Sequence, residues 1–143
     1  MLRSKLKGIL SFLWQLPQNL VGLCLIAWFK PQRVHRMANG VDIYYSHKMK
    51  GGISLGKYVL VNTSHYRTNV EDSLSRPTVR HEALGHARQS LFLGWLYLVI
   101  IGLPSFVWAS IWTIRTRNGK AVMDYHKFYT ERNADKLAKI ERR

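Results

Sequence analysis

The sequence predicts an α+β fold that is mainly helical, carries a small β-hairpin or sheet, and associates with a membrane. Three observations predict it. Two long apolar stretches, Ile9 to Phe29 and Leu91 to Trp112, hold much of the 47% hydrophobic content of the 143 residues, and about 20 such residues suffice to cross a bilayer. Between them, residues 40–62 are rich in β-branched and aromatic residues at an alternating spacing, the signature of strands. Beyond them, Asp124 to Ile140 reads as an amphipathic helix. The length suits one domain, with residues 1–36 as an N-terminal membrane segment and residues 37–143 as the rest, including an apolar hairpin over 91–112.

In the first stretch Gln15, Pro17, Gln18 and Asn19 sit together. Pro17 removes a backbone donor and disfavours helix at Leu16. Two short helices meeting at a polar break, one kinked span, and a buried soluble helix pair all fit that pattern. The basic start MLRSKLK imitates a signal peptide, but the apolar run is long and no small-x-small cleavage site follows, so the segment is expected to be retained. Cys24 is the lone cysteine and reads as apolar filler, with no intrachain disulfide available. VDIYYSH then reads as one strand, KMKGG as a turn, and GISLGKYVLVN as a second strand broken by glycines. Residues 63–76 read as a polar loop with Asn69 or Ser75 as candidate caps. Pro77 suits a helix first turn, and Thr78 to Leu93 suits a helix whose propensity Gly85 and Gly94 lower. Gly102-Leu103-Pro104-Ser105 interrupts the second apolar stretch, and RTRNGK after it is a polar turn.

The formal net charge is +14, from 22 Lys and Arg against 8 Asp and Glu. Such an excess points to a polyanionic neighbour, a nucleic acid or an anionic membrane surface. The chain carries no nucleic-acid-binding motif, and its basic clusters flank the apolar stretches: Arg3, Lys5 and Lys7; Lys30, Arg33 and Arg36; Arg115, Arg117 and Lys120. Anionic lipids are the expected partner, with these basic flanks on the cytoplasmic side. Trp95, Tyr97, Trp108 and Trp112 suit the headgroup level, or ordinary packing.

The chemistry concentrates in two strings. In Arg80-His81-Glu82-Ala83-Leu84-Gly85-His86 the histidines are five residues apart, which on a regular helix separates them by about 140°. A zinc helix of the HExxH type has them four apart, on one face, with the glutamate as base. One extra residue taken up as a π-turn brings the present pair together, and Gly85 eases that distortion. The second string, Tyr129-Thr130-Glu131-Arg132-Asn133-Ala134-Asp135, places Glu131 and Asp135 on one helix face. His81, His86 and Glu131 are the expected metal ligands, with Glu82 as catalytic base. Asp135 is expected to accept from a ligand imidazole and fix its tautomer. Three protein ligands leave a position for water, as catalytic zinc requires. His126, Tyr125 and Tyr129 are candidates for stabilising an oxyanion, or for aromatic packing. Three of the chain's eight acidic residues fall in these two strings.

At these residues the chain resembles the gluzincin metallopeptidases, and the HExxGH spacing is similar to that of dipeptidyl peptidase III. Over most of its length, through LPQNLVG, GGISLGKYVLV, HEALGHARQSLFLGWLYLVIIGLPSFVW and YHKFYTERNADKL, it resembles a family of small bacterial and phage-type membrane proteins. That family has one residue fewer between the glutamate and the glycine, and with His86 as a ligand Glu82 competes with His81 for the metal. The resemblance implies a zincin-like domain, zinc, a peptide or protein substrate, and a bacterial inner membrane with the site on the cytoplasmic side. The alternatives are a non-catalytic membrane protein with a structural metal site and a cationic membrane scaffold. Because His86 and Glu131 lie on either side of the second apolar stretch, a single crossing would part them by about 30 Å. The stretch is therefore expected to double back at Gly102–Ser105 as a re-entrant hairpin; the other solution, a site within the membrane, is disfavoured by Arg80, Arg88 and Gln89 beside the motif. GISLGKYVLV is expected to serve as an internal strand or to pair with an extended substrate.

Overall fold

A computed structural model describes residues 2–142; Met1, Arg143 and the side chains of Leu2, Arg33 and Val34 lie outside the described part. The fold is α+β, with a four-stranded mixed sheet. Helices α1 (Leu2–Trp14) and α2 (Leu16–Phe29) meet at 88° across Gln15, so the polar break does make two helices. Pro17 sits in the first turn of α2, where its missing N–H is harmless.

The polar residues at this joint are buried and bonded inward. Gln18 Nε2 donates to Ser90 Oγ at 2.9 Å and to the Gly94 carbonyl at 2.8 Å. Ser90 Oγ donates to Gln15 Oε1 at 2.7 Å. Asn19 Nδ2 donates to the Phe12 carbonyl at 3.0 Å, and its Oδ1 accepts from Lys57 N at 3.0 Å. Two indoles brace the same joint, Trp14 Nε1 donating to Leu91 O and Trp95 Nε1 to Leu13 O, both at 2.8 Å.

The sheet is larger than a hairpin and is ordered β1-β2-β4-β3. Strand β1 (Gln32–Arg36) pairs antiparallel with β2 (Asp42–Ser46), so the sheet begins inside the stretch expected to be membrane segment. β2 does not form a hairpin with the next strand. It pairs in parallel with β4 (Tyr58–Asn62), while β3 (Gly52–Leu55) turns back on β4 at the sheet edge. That turn needs Gly56, whose φ is +66° and whose Cβ position falls 2.1 Å from Asn19 Oδ1. The sheet buries Val41, Ile43, Tyr45, Val59 and Val61 against Val79, Ala83 and Ala87 of the long helix that follows.

The expected polar loop contains a short helix, α3 (Val70–Ser75), capped by Asn69 Oδ1 accepting from Asp72 N at 2.8 Å. The next helix runs from Pro77 to Leu93 as α4 (Pro77–Arg80), a π-turn over His81–His86, and α5 (Ala87–Leu93). It ends at Gly94, with φ +54° and the Trp14 ring 2.3 Å from where a Cβ would be.

The second apolar stretch breaks at Gly94, not at Gly102–Ser105. Leu98–Arg117 is one 20-residue helix, long and apolar enough to cross a membrane. It comprises a π-turn over Leu98–Gly102 and α6 (Leu103–Arg117). Pro104 has no N–H for the carbonyl four residues earlier, and Tyr129 Oη donates to that carbonyl, Ile100 O, at 2.6 Å. The return comes after α6. Residues 118–128 run back along it, with Trp108 stacked on Phe128 and Trp112 edge-on to Tyr125. The final helix is shorter than expected, α7 (Tyr129–Ala138), preceded by a 3-10 turn over Tyr125–Lys127.

Candidate metal centre

The π-turn is what the spacing of His81 and His86 requires. With one extra residue in the turn both imidazoles reach the same side, their ring centroids 4.7 Å apart and nearly perpendicular. Gly85 has an ordinary helical backbone, so conformational freedom is not its contribution. Its contribution is space. A Cβ there would lie 2.6 Å from the Ala134 carbonyl oxygen of α7. The missing side chain lets α7 cross close, which carries Glu131 and Asp135 to the histidines. Arg80 Nε, donating to Ala138 O at 2.7 Å, holds the far end of the same crossing.

Three acceptor atoms converge at this crossing. His81 Nε2 lies 3.1 Å from His86 Nε2 and 3.0 Å from Glu131 Oε2, and His86 Nε2 lies 3.4 Å from that oxygen. The outer nitrogens are committed elsewhere. His81 Nδ1–H donates to Asp135 Oδ1 at 2.7 Å. His86 Nδ1–H donates to Gln89 Oε1 at 2.6 Å, and Gln89 is oriented by its own amide, which donates to Thr130 O at 3.0 Å and Asn133 Oδ1 at 2.9 Å. With each Nδ1 so engaged, both Nε2 atoms are left facing inward. Arg142 pairs with Asp135 at 2.7 and 3.0 Å, and Ser105 and Thr130 hydroxyls donate to Glu131 Oε1.

Nitrogen and carboxylate atoms gathered at this range suit a cation between them. Ligands about 2.0–2.2 Å from a tetrahedral ion stand about 3.3–3.6 Å apart, close to the spacing found. The buried His and Glu groups therefore fit a metal ion. In its absence a proton takes the same place. Burial opposes a charged imidazole, but the hydrogen bond to Glu131 and the charges of Glu82 and Glu131 raise His86 to about 9. Burial likewise opposes the Glu131 carboxylate, yet its bonds with His81 and His86 hold it well below the usual range.

Glu82 adjoins the same cluster, close enough to form a ligand group with His81 and His86. It is buried in the π-turn beside both imidazoles, and its Oε2 has no hydrogen-bond partner. Burial raises its pKa, the neighbouring imidazoles pull it down and Glu131 pushes it up, with a net upward shift. Room for it comes from β3, where a Cβ on Gly52 would lie 2.6 Å from Glu82 Cγ.

The remaining candidates separate. His126 is half-buried, edge-on to His81 with centroids 5.6 Å apart, and close enough to form an alternative ligand group with His81 and Glu131. Tyr125 is half-buried and lines the cavities around Glu82 and Glu131. Tyr129 is not brought to the cluster: it is 46% exposed, and its hydroxyl is spent on Ile100 O, where Pro104 leaves a carbonyl to satisfy. Sequence patterns missed Gln89, Gly52 and Ser105. Gln89 lies three residues past His86, a spacing that shares a helix face; Gly52 and Ser105 come from distant elements and left no local signal. No family model, no curated protein and no solved structure matches the chain.

Proposed function

We propose that the chain is a membrane-associated zinc peptidase of the gluzincin kind, with a zincin-like core. The observation that carries this is the meeting of His81 Nε2, His86 Nε2 and Glu131 Oε2 within 3.4 Å, with an unpartnered, buried Glu82 carboxylate beside them. Two imidazoles and one carboxylate suit zinc and leave a coordination position open. A divalent ion held there supplies Lewis acidity, lowering the pKa of water and polarising a carbonyl.

The chain's own groups do the rest. Asp135 and Gln89 hold the two imidazoles in the tautomer that presents Nε2. Glu82, its pKa raised by burial, takes a proton from water as the water oxygen bonds to the carbonyl carbon. The same proton passes to the leaving nitrogen as the C–N bond breaks. His126 and Tyr125 line the site where the carbonyl oxygen gains charge, and serve as its hydrogen-bond donors. The open edge of β3 passes Glu82 at Gly52 and offers backbone groups to an extended peptide.

Membrane association is supported by what the helices leave outside. Leu6, Ile9, Leu10 and Leu13 of α1, Phe92 and Trp95, and Leu103, Phe106 and Ile114 of α6 are each about half exposed or more, and large apolar side chains left outside in such number point to an interaction surface. One side of α6 is occupied by Tyr125, Phe128 and Glu131. A position against one leaflet therefore suits it better than a span wrapped in lipid, with Lys5, Lys7, Arg115 and Arg117 at the anionic headgroups. We assign this to the cytoplasmic face of a bacterial inner membrane.

The test is zinc quantification and peptide hydrolysis on purified protein beside Glu82→Gln. The variant is expected to keep one zinc per chain and lose hydrolysis. A site closed by Glu82 as a fourth ligand would lose zinc instead, and that result would replace catalysis with a structural metal.

A further inference from the structure

The metal cluster has two approaches of different polarity. On one side is a wide basin of about 1030 Å³ that mixes Trp112, Val122 and Met123 with charged and polar groups, Lys50, Lys120 and Arg142 among them. On the other is a groove of about 370 Å³ lined by Val21 and Leu25 of α2, Ile53 and Leu55 of β3, and Leu98 and Phe106 of the second apolar stretch. Both volumes are in or near the range of small-molecule sites, about 300–1,000 Å³. Both approaches reach Glu82 and Glu131, so the cluster stands where they join.

The groove opens among residues that face outward. Val21 is 41% exposed and Phe106 66%, and they continue into Leu20, Leu103 and Val107, which are also exposed. Of its two walls, α6 is an element that the membrane reading puts against lipid, and α2 leaves Leu20, Val21, Leu23 and Trp28 exposed beside it. The strand edge at its floor cannot supply long pairing. Asn62 N bonds to Gly51 O, so by alternation Gly52 and Ser54 turn their backbone groups to the open edge. There the Ser54 carbonyl is already occupied by Tyr97 Oη, donating at 3.0 Å from a buried ring. A substrate strand stops after Gly52, and the rest of its hold on the protein has to come from apolar contact in the groove.

We infer that the site takes peptides from the bilayer: the bond cut lies at the junction between a membrane-inserted apolar segment, which occupies the groove between α2 and α6, and a polar segment, which occupies the basin. This rests on the peptidase assignment for the cut but not for the binding. The experiment uses the full chain carrying Glu82→Gln, loaded with zinc, in vesicles of phosphatidylcholine and phosphatidylglycerol. The photo-crosslinking residue p-benzoylphenylalanine replaces Phe106 in one sample and Ile114, exposed on α6 outside the groove, in another. The probes are a synthetic peptide with a leucine–alanine membrane segment joined to a polar tail, and the polar tail alone.

Crosslinking of the inserted peptide is expected to be about tenfold stronger at 106 than at 114, with the polar tail unlabelled at either. Equal labelling at both positions, lipid adducts alone, or labelling by the polar tail to the same extent would overturn the inference. The peptidase assignment fails separately. Groove labelling by the inserted peptide, with no hydrolysis by wild type, would leave the route standing and end the chemistry. Hydrolysis of the tail without groove labelling would do the reverse.

Discussion

Replacing Gly85 by alanine adds one methyl group where α7 already stands. The new Cβ would lie 2.6 Å from Ala134 O and 2.9 Å from Ala134 C and Cβ, whereas ordinary contact begins at 3.4 Å. The deficit of 0.8 Å falls on backbone, which cannot rotate away, so α7 has to move. Overpacking of this kind costs about 1–3 kcal/mol, reduced by the roughly 0.5–1 kcal/mol that alanine gains over glycine in a helix. Glu131 is one turn from Ala134 and moves with it. A functional constellation tolerates about 0.5 Å, so the shift is expected to lower zinc affinity by about 10–100-fold, the range for disturbed metal-site support. Chelator competition measures the affinity and a thermal melt in detergent the stability. Gly8→Ala, which has nothing within 4 Å, is the control for alanine in a helix. Unchanged affinity and melting in Gly85→Ala would refute the claim that the close crossing builds the site.

On the proposed reading, a zinc ion would displace the proton of His86, whose pKa is raised to about 9. Apparent affinity is therefore expected to rise with pH between about 6.5 and 9, by close to tenfold per pH unit, with about one proton released per ion, measurable by calorimetry in buffers of different ionisation enthalpy. The metal-free protein follows the opposite course. A raised imidazole contributes stability that is full below about 6.5 and is lost as pH rises through about 9, so metal-free melting is expected to fall across that interval. Asp135 titrates below its usual range: burial raises it, but its bonds with Arg142 and His81 outweigh that. Its contribution is present above about pH 3.9 and lost as pH falls through the lowered value; Asp135→Asn removes it and is expected to weaken zinc binding by about 10–100-fold in the same chelator assay. Gln18→Ala strips donors from Ser90 Oγ and Gly94 O in a fully buried joint, at a cost of about 1–3 kcal/mol in denaturant unfolding.

The site was legible where chemistry is written in local spacing. Histidines five apart need a π-turn to act together, and the turn is there over His81–His86. Glu131 and Asp135, four apart, do share a face of α7 toward them. The bent N-terminal helices were legible from Pro17 and its polar neighbours, but the purpose of Gln18 and Asn19 was not, because Ser90, Gly94 and Lys57 are distant in the chain. The sheet misled for a related reason. Alternation marks strands but not partners, and the parallel pairing of β2 with β4 depends on β3 swinging out to the edge. Pro104 misled most. Gly-Leu-Pro-Ser reads as a break, yet a π-turn before it and the Tyr129 hydroxyl at Ile100 O let the helix continue. Tyr129 reads as a candidate for chemistry or for packing, because the donor it supplies to the helix is invisible until the two segments meet.

The seam between the N-terminal helices and the rest bears on how this protein can be handled in the laboratory. A greasy leader is usually trimmed to obtain a water-soluble fragment. Here trimming through Phe29 would strip the amides that cover Ser90, Gly94 and Lys57 and expose the floor of the apolar groove. Helices α1 and α2 are masonry rather than a tether, and any fragment lacking them is expected to be a poorer sample of the same molecule.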